Sequence, residues 1–128
     1  MPVRVLLVDD EPMFLDAVHA LLEQDARISV VATAGTGDEA VERARECHPD
    51  VALVDLTMPG VDGFELTQTL RDVEPSLRVV AVSGLSTRSD EQRALAAGAC
   101  RFLHKGGLHH EIAETILDVS DEACEAGA

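Results

Sequence analysis

The sequence has no tryptophan, no tyrosine and only three phenylalanines. That removes most of the flat side chains on which nucleic-acid bases stack. Basic residues are also scarce, ten Lys and Arg against 24 Asp and Glu, and the formal charge of −14 repels a phosphate backbone. Direct nucleic-acid binding is therefore excluded as an expectation. No positively charged leader with an apolar core opens the chain, and no apolar run approaches the roughly 18 residues of a membrane span, so a membrane role is not expected either. Cysteine is limited to Cys47, Cys100 and Cys124, odd in number and without a C-x-x-C pair. This signals neither a disulfide framework nor a zinc site, and it fits a reducing, cytoplasmic setting.

What is present is one ordinary domain's worth of apolar residues, 46% of 128. They are organised in an alternation without internal repeats. The runs "VRVLLVD", "ISVVATA", "VALVD", "LRVVAVS" and "CRFLH" read as five strands, the first four nearly continuous in apolar residues, as strands covered on both faces should be. Between them the spacing turns helical. Phe14, Val18, Leu21 and Leu22 form one stripe, Ala40, Val41, Ala44 and Cys47 a second, and Phe64, Leu66, Leu70 and Val73 a third. Leu108, Ile112, Ile116 and Val119 form the last, and a weaker, Ala-rich helix is expected around 89–97. Pro12 suits a first helical turn, Thr36 with Glu39 and Asp62 with Glu65 have capping-box spacing, and Gly98 suits a helix stop. Five alternations with long crossovers predict a doubly wound α/β domain, Rossmann-like or flavodoxin-like.

In such a sheet ligands sit beyond the carboxyl ends of the strands. The sequence places Asp9 and Asp10 after the first strand, Asp55 after the third, Ser83 after the fourth and Lys105 after the fifth. Three convergent carboxylates repel one another unless a cation neutralises them, and a compact site of hard oxygens favours Mg²⁺. Asp9 and Asp10 are thus expected to hold a magnesium ion. With a metal on one side and Lys105 on the other, Asp55 can act as a nucleophile toward phosphorus, and Ser83 can donate a hydrogen bond to the phosphoryl group that arrives.

"VDDE", "VDLTMPGVDG", Ser83 and "FLHK" together resemble the receiver domain of bacterial two-component response regulators, over nearly the whole chain. The resemblance implies a flavodoxin-like sheet of five parallel strands in the order 2-1-3-4-5 with five helices, filling residues 1–120, with 121–128 an acidic tail or the start of a linker. It implies that Asp55 accepts a phosphoryl group from a sensor histidine kinase. Asp10 and Asp55 would bind Mg²⁺ directly, Asp9 mainly through water, and the Thr57 carbonyl would complete the protein ligands. Lys105 would contact the acyl phosphate, while Ser83 and Phe102 act as the switch. "FLHKGG" is similar to receivers of helix-turn-helix regulators, which brings in a C-terminal DNA-binding output domain, absent from this chain, and a phosphorylation-dependent homodimer as expected partners. Three positions depart from the family pattern: Gly106 where proline is frequent, Phe102 for the common tyrosine, and Gly84 for the frequent alanine.

Two competing readings are legible. "GTGDEA", residues 35–40, matches G-x-G-x-x-A after a strand, as a dinucleotide fold requires, but Asp38 and Glu39 would oppose a pyrophosphate there. A Mg²⁺-dependent phosphohydrolase using Asp55 would commonly carry an acid two residues later, where Thr57 stands, so self-catalysed labelling and decay are expected rather than enzymatic turnover. Among the histidines, adjacent His109 and His110 point in different directions on a helix and read as helix-entry residues, His48 as the close of the second helix, and His104 as a sheet residue beside the site.

Overall fold

The computed structural model describes residues 2–84, 88–107 and 111–121. Branched residues form β1 (Val3–Val8), β2 (Ile28–Ala34), β3 (Val51–Asp55), β4 (Arg78–Ser83) and β5 (Arg101–His104). The helices between and after them are α1 (Pro12–Glu23), α2 (Gly37–Cys47), α3 (Gly63–Val73), α4 (Arg88–Ala96) and α5 (Ile112–Asp121), with a short 3-10 turn over Lys105–Gly107. All strand pairs are parallel, in the order β2-β1-β3-β4-β5. This is the doubly wound sheet expected from the alternation, in the flavodoxin-like strand order that the resemblance implies.

The pleat divides the core. Leu6, Val8, Ala52, Val54, Val79 and Ala81 face one layer, where Ala40 and Ala44 of α2, Leu66 and Leu70 of α3 and Ala94 of α4 pack. Val5, Leu7, Val51, Leu53, Val80 and Val82 face the other, against Val18 and Leu22 of α1 and Ile112, Ile116 and Val119 of α5. Strand residues therefore alternate between two buried layers, which is why the central strands are apolar at nearly every position. β2 differs: it is an edge strand, its middle residues are only half-buried, and a register shift against β1 lies between Val5 and Leu6. Its apolar run resembles that of a central strand, but order in the sheet, not composition, sets its exposure.

Helix ends follow the local signals. Pro12 stands in the first turn of α1. The Thr36 hydroxyl accepts the Glu39 N–H at 3.1 Å, and the Glu39 carboxylate accepts the N–H of Gly35, the residue before the cap. Asp62 caps α3 by accepting from Phe64 and Glu65. His48 closes α2 in the left-handed region at φ 48°, and Gly98 follows α4 at φ 115°. Leu108, His109, His110 and the 122–128 segment lie outside the described residues. Among the cysteines described, Cys47 is a free thiol while Cys100 is disulfide-bonded, a bond that cysteine spacing did not signal and that takes away the cysteine argument for a reducing setting. No helix among the described residues is long and apolar enough to cross a membrane.

Candidate functional site

The chain passes from β1 to β2 on one side of the sheet and then returns to place β3 on the other side of β1, which makes the C-terminal ends of β1 and β3 the topological switch point. Asp9 follows β1 there, buried at 1% exposure, with its N–H bonded to Ala34 O and its Oδ1 accepting the Glu11 N–H at 2.8 Å. Asp10 beside it is exposed. Asp55 ends β3 and is 3% exposed. Its Oδ1 accepts both the Thr57 N–H at 2.9 Å and the Thr57 hydroxyl at 2.7 Å. Ser83 ends β4, buried, in register with His104 on β5.

The loop after Asp55 explains its sequence. Gly60 adopts φ 73°, and Val61 N–H closes a turn on Met58 O at 3.2 Å. A side chain on Gly63 would put Cβ 2.5 Å from Leu56 Cα, so only glycine lets α3 start against the backbone that carries Asp55.

Lys105 leaves β5 and converges on the acids. Its Nζ lies 2.5 Å from Glu11 Oε1, 2.9 Å from Asp9 Oδ2 and 3.3 Å from Asp55 Oδ2, with the Phe14 ring centroid 4.3 Å away. Burial works against the Lys105 charge, but contacts with Glu11 and Asp9 and the charges of Asp55 and Asp9 outweigh it and hold the ammonium above its ordinary pKa. Burial pushes the Asp9 carboxyl up, against the Glu11 N–H and Lys105, which favour its charged form; the Asp55 charge adds to the rise. Asp9 Oδ2 faces Lys105 as an ion pair but off a hydrogen-bonding direction, so this buried oxygen has no hydrogen bond.

Oxygens of Asp9, Asp10, Glu11 and Asp55 all lie within 4.8 Å of one another. A set of hard carboxylate oxygens, one of them buried without a hydrogen bond and one residue open to solvent, fits Mg²⁺ with retained waters.

The predicted Asp9, Asp10, Asp55 and Lys105 are thus brought together, with Thr57 in direct contact with Asp55 and Ser83 at the adjoining strand end. Phe102 sits apart on β5, half-buried against the core formed with α2, α3 and α4, its ring edge-on to His104 at 5.8 Å. The peptide bonds of the described residues are trans, and the turn bearing Gly106 is 3-10. A Cβ on Gly84 would meet only Lys105 Cδ at 4.0 Å, so alanine would fit there. Three participants had been passed over: Glu11, the Thr57 hydroxyl and the Phe14 ring. Glu11 stands within "VDDE", but only the path of Lys105, 94 residues later, gives it a partner. The dinucleotide reading fails on topology, because β1 separates β2 and its glycine turn from β3 and Asp55, and Glu39 already takes the Gly35 N–H.

A flavodoxin-like sheet with an acid cluster and a lysine at its switch point defines the class of signal receivers. Residues 5–117 match the family model of the response regulator receiver domain, and the chain belongs to that family. It is 36% identical to the response regulator GacA of Pseudomonas viridiflava over 114 residues, which are 89% of this chain and 53% of that protein. The solved signal receiver domain of NarL from Mycobacterium tuberculosis superposes with a TM-score of 0.89 at 34% identity, covering 95% of this chain and 98% of that one. The response regulator domain of Thermotoga maritima CheB superposes with a TM-score of 0.88 at 28% identity, covering 96% and 99%. The chain spans about half the length of GacA. It is a receiver domain of a two-component response regulator.

Proposed function

We propose that this domain, residues 1–120, is a phosphoacceptor switch in which Asp55 takes a phosphoryl group from a phosphohistidine of a sensor kinase. The observation that carries the reading is the Lys105 ammonium held 3.3 Å from Asp55 Oδ2 beside the Asp9 and Asp10 carboxylates. Thr57 donates twice to Oδ1, which leaves Oδ2 the less occupied oxygen and the better nucleophile. That oxygen forms the new O–P bond as the P–N bond to histidine breaks, and the departing imidazole nitrogen keeps the electron pair and takes up a proton. Mg²⁺, held by Asp9, Asp10, Asp55 and the Thr57 carbonyl, would neutralise charge on the transferring group. Lys105 supplies the second positive charge to the same oxygens, and the Ser83 hydroxyl donates to the group once it has arrived.

Signalling passes through Ser83 and then Phe102. By the resemblance, the element that reads this state is a DNA-binding output domain or a second copy of the receiver. Residues 121–128 are an acidic tail or the start of a linker, and the resemblance, rather than the cysteines, assigns the domain to the cytoplasm. Thr57 offers a hydroxyl where a phosphohydrolase would offer an acid, so the reaction ends in single labelling and slow decay rather than turnover.

The test is intact mass after incubation with acetyl phosphate and Mg²⁺. One phosphoryl group should be gained, and none in Asp55→Asn or in the presence of EDTA. Equal labelling of the variant would refute the assignment of Asp55.

A further inference from the structure

The closest partner of Lys105 is not the proposed nucleophile. Of three carboxylates touching its ammonium, Glu11 is nearest at 2.5 Å and Asp55 farthest at 3.3 Å. Glu11 is also the odd one by position, 62% exposed at the mouth of the pocket where Asp9 and Asp55 are buried. Its residue is the N-cap of α1, yet its side chain makes no cap hydrogen bond. A carboxylate at a helix N-terminus would ordinarily turn back to the open N–H groups of the first turn. Here it reaches instead to a lysine 94 residues away, whose ammonium also lies over the Phe14 ring at 4.3 Å from its centroid.

From this geometry we infer that Glu11 is a latch: a positioning residue that draws the shared Lys105 ammonium closer to itself than to Asp55, 2.5 Å against 3.3 Å, until a phosphoryl group competes for it. The inference rests on the phosphoacceptor reading of Asp55. The ammonium must shift from Glu11 toward the phosphoryl oxygens, so the strength of the Glu11 contact sets part of the barrier to labelling. Glu11 also adds a fourth negative charge to the cluster that would attract Mg²⁺, and these two effects oppose each other.

Two substitutions separate them. Glu11→Gln removes the charge while keeping the length. Glu11→Asp keeps the charge but is shorter by one C–C bond, about 1.5 Å, so it falls out of hydrogen-bond reach of Lys105. At saturating Mg²⁺ both variants should be labelled by acetyl phosphate about two- to fivefold faster than the parent, the factor expected for releasing one solvent-facing ion pair. Mg²⁺ affinity, followed by backbone amide shifts, should weaken in Glu11→Gln and stay near the parent in Glu11→Asp. In the metal-free protein, the Lys105 ammonium ¹⁵N–¹H cross-peak should be sharp in the parent and broadened in both variants. Labelling at saturating Mg²⁺ that is unchanged or slower in both variants overturns the latch, as does acceleration in Glu11→Gln alone, which would make charge and not contact responsible. If even the parent is never labelled, the phosphoacceptor reading fails, while an unaltered Lys105 cross-peak in the metal-free variants refutes the pull of Glu11 on the ammonium itself.

Discussion

The two ends of the sheet treat charge in opposite ways. At the N-terminal edge several charged residues each meet a partner of their own. Asp50 accepts the Arg4 N–H at 2.9 Å while its backbone bonds both Arg4 O and the Arg78 N–H, tying the starts of β1 and β4 across β3. The Arg4 guanidinium donates to Cys47 O, His48 Nδ1 lies 2.7 Å from Glu74, and Arg27 holds the Asp25 carboxyl down to about 2 through hydrogen bonds. At the C-terminal edge Asp9, Glu11 and Asp55 gather around one ammonium with Asp10 beside them, and a buried oxygen of Asp9 has no hydrogen bond. Polar residues at the first end complete the fold. Those at the second place more acid than base side by side, an end left electrostatically unfinished by the protein's own side chains, which fits a divalent cation.

The largest effect should come from breaking the unfinished end. Lys105→Met keeps the stem and deletes the charge, and the metal-free protein should lose about 2 kcal/mol, since buried acids then face one another without compensation. Urea unfolding with and without Mg²⁺ measures it, and added Mg²⁺ should restore part of the loss. An equal loss in both conditions would mean that Lys105 only packs.

Asp9→Asn should act in the opposite direction, stabilising the metal-free protein at neutral pH by about 1 kcal/mol while weakening Mg²⁺ binding. The pH dependence follows from the signs. Burial raises the folded pKa of Asp9 above 3.8, so the folded state holds this proton more tightly, and the residue's contribution improves as pH falls from neutral through the raised value. Asp25 behaves in reverse: its contribution is complete above 3.8 and is lost as pH falls toward about 2. Unfolding measured across pH should therefore flatten on the neutral side in Asp9→Asn and keep its acid limb.

At the finished end, Asp50→Ala should cost about 1 kcal/mol by leaving the Arg4 N–H without its carboxylate. Mg²⁺ affinity and labelling should not change. A change in either would join two ends that the structure keeps apart. The smallest effect on stability is expected for Ser83→Ala, which should still be labelled on Asp55 while the amide shifts it causes around α4, β5 and Phe102 shrink. A full parental spectral response would show that the signal bypasses this hydroxyl.

Much of this was legible locally. Strand ends and helix starts follow from apolar period and from Pro12, Thr36, Asp62 and Gly98, because a cap or a positive φ is decided within a few residues. The identity of the acid edge followed too, since parallel strands joined by helices must all point their carboxyl ends one way. Local pattern misjudged β2, whose "ISVVATA" carries the composition of an internal strand at an edge. The resemblance implied only a carbonyl role for Thr57, whereas its hydroxyl lies 2.7 Å from Asp55 Oδ1.

By itself, then, the sequence determined which residues stand at the strand ends and which chemistry they can support, because side-chain type and chain direction are local facts. Only the tertiary structure decided how their charges are shared. Glu11 meets Lys105 across 94 residues, Arg71 donates to Gly98 O across 27, and Gly63 opens space for the Leu56 backbone, all through the packing of separate elements. A period of 3.6 or 2 says which face a residue takes. It carries no information about which distant side chain arrives at the same point, and that meeting fixes where the Lys105 ammonium rests.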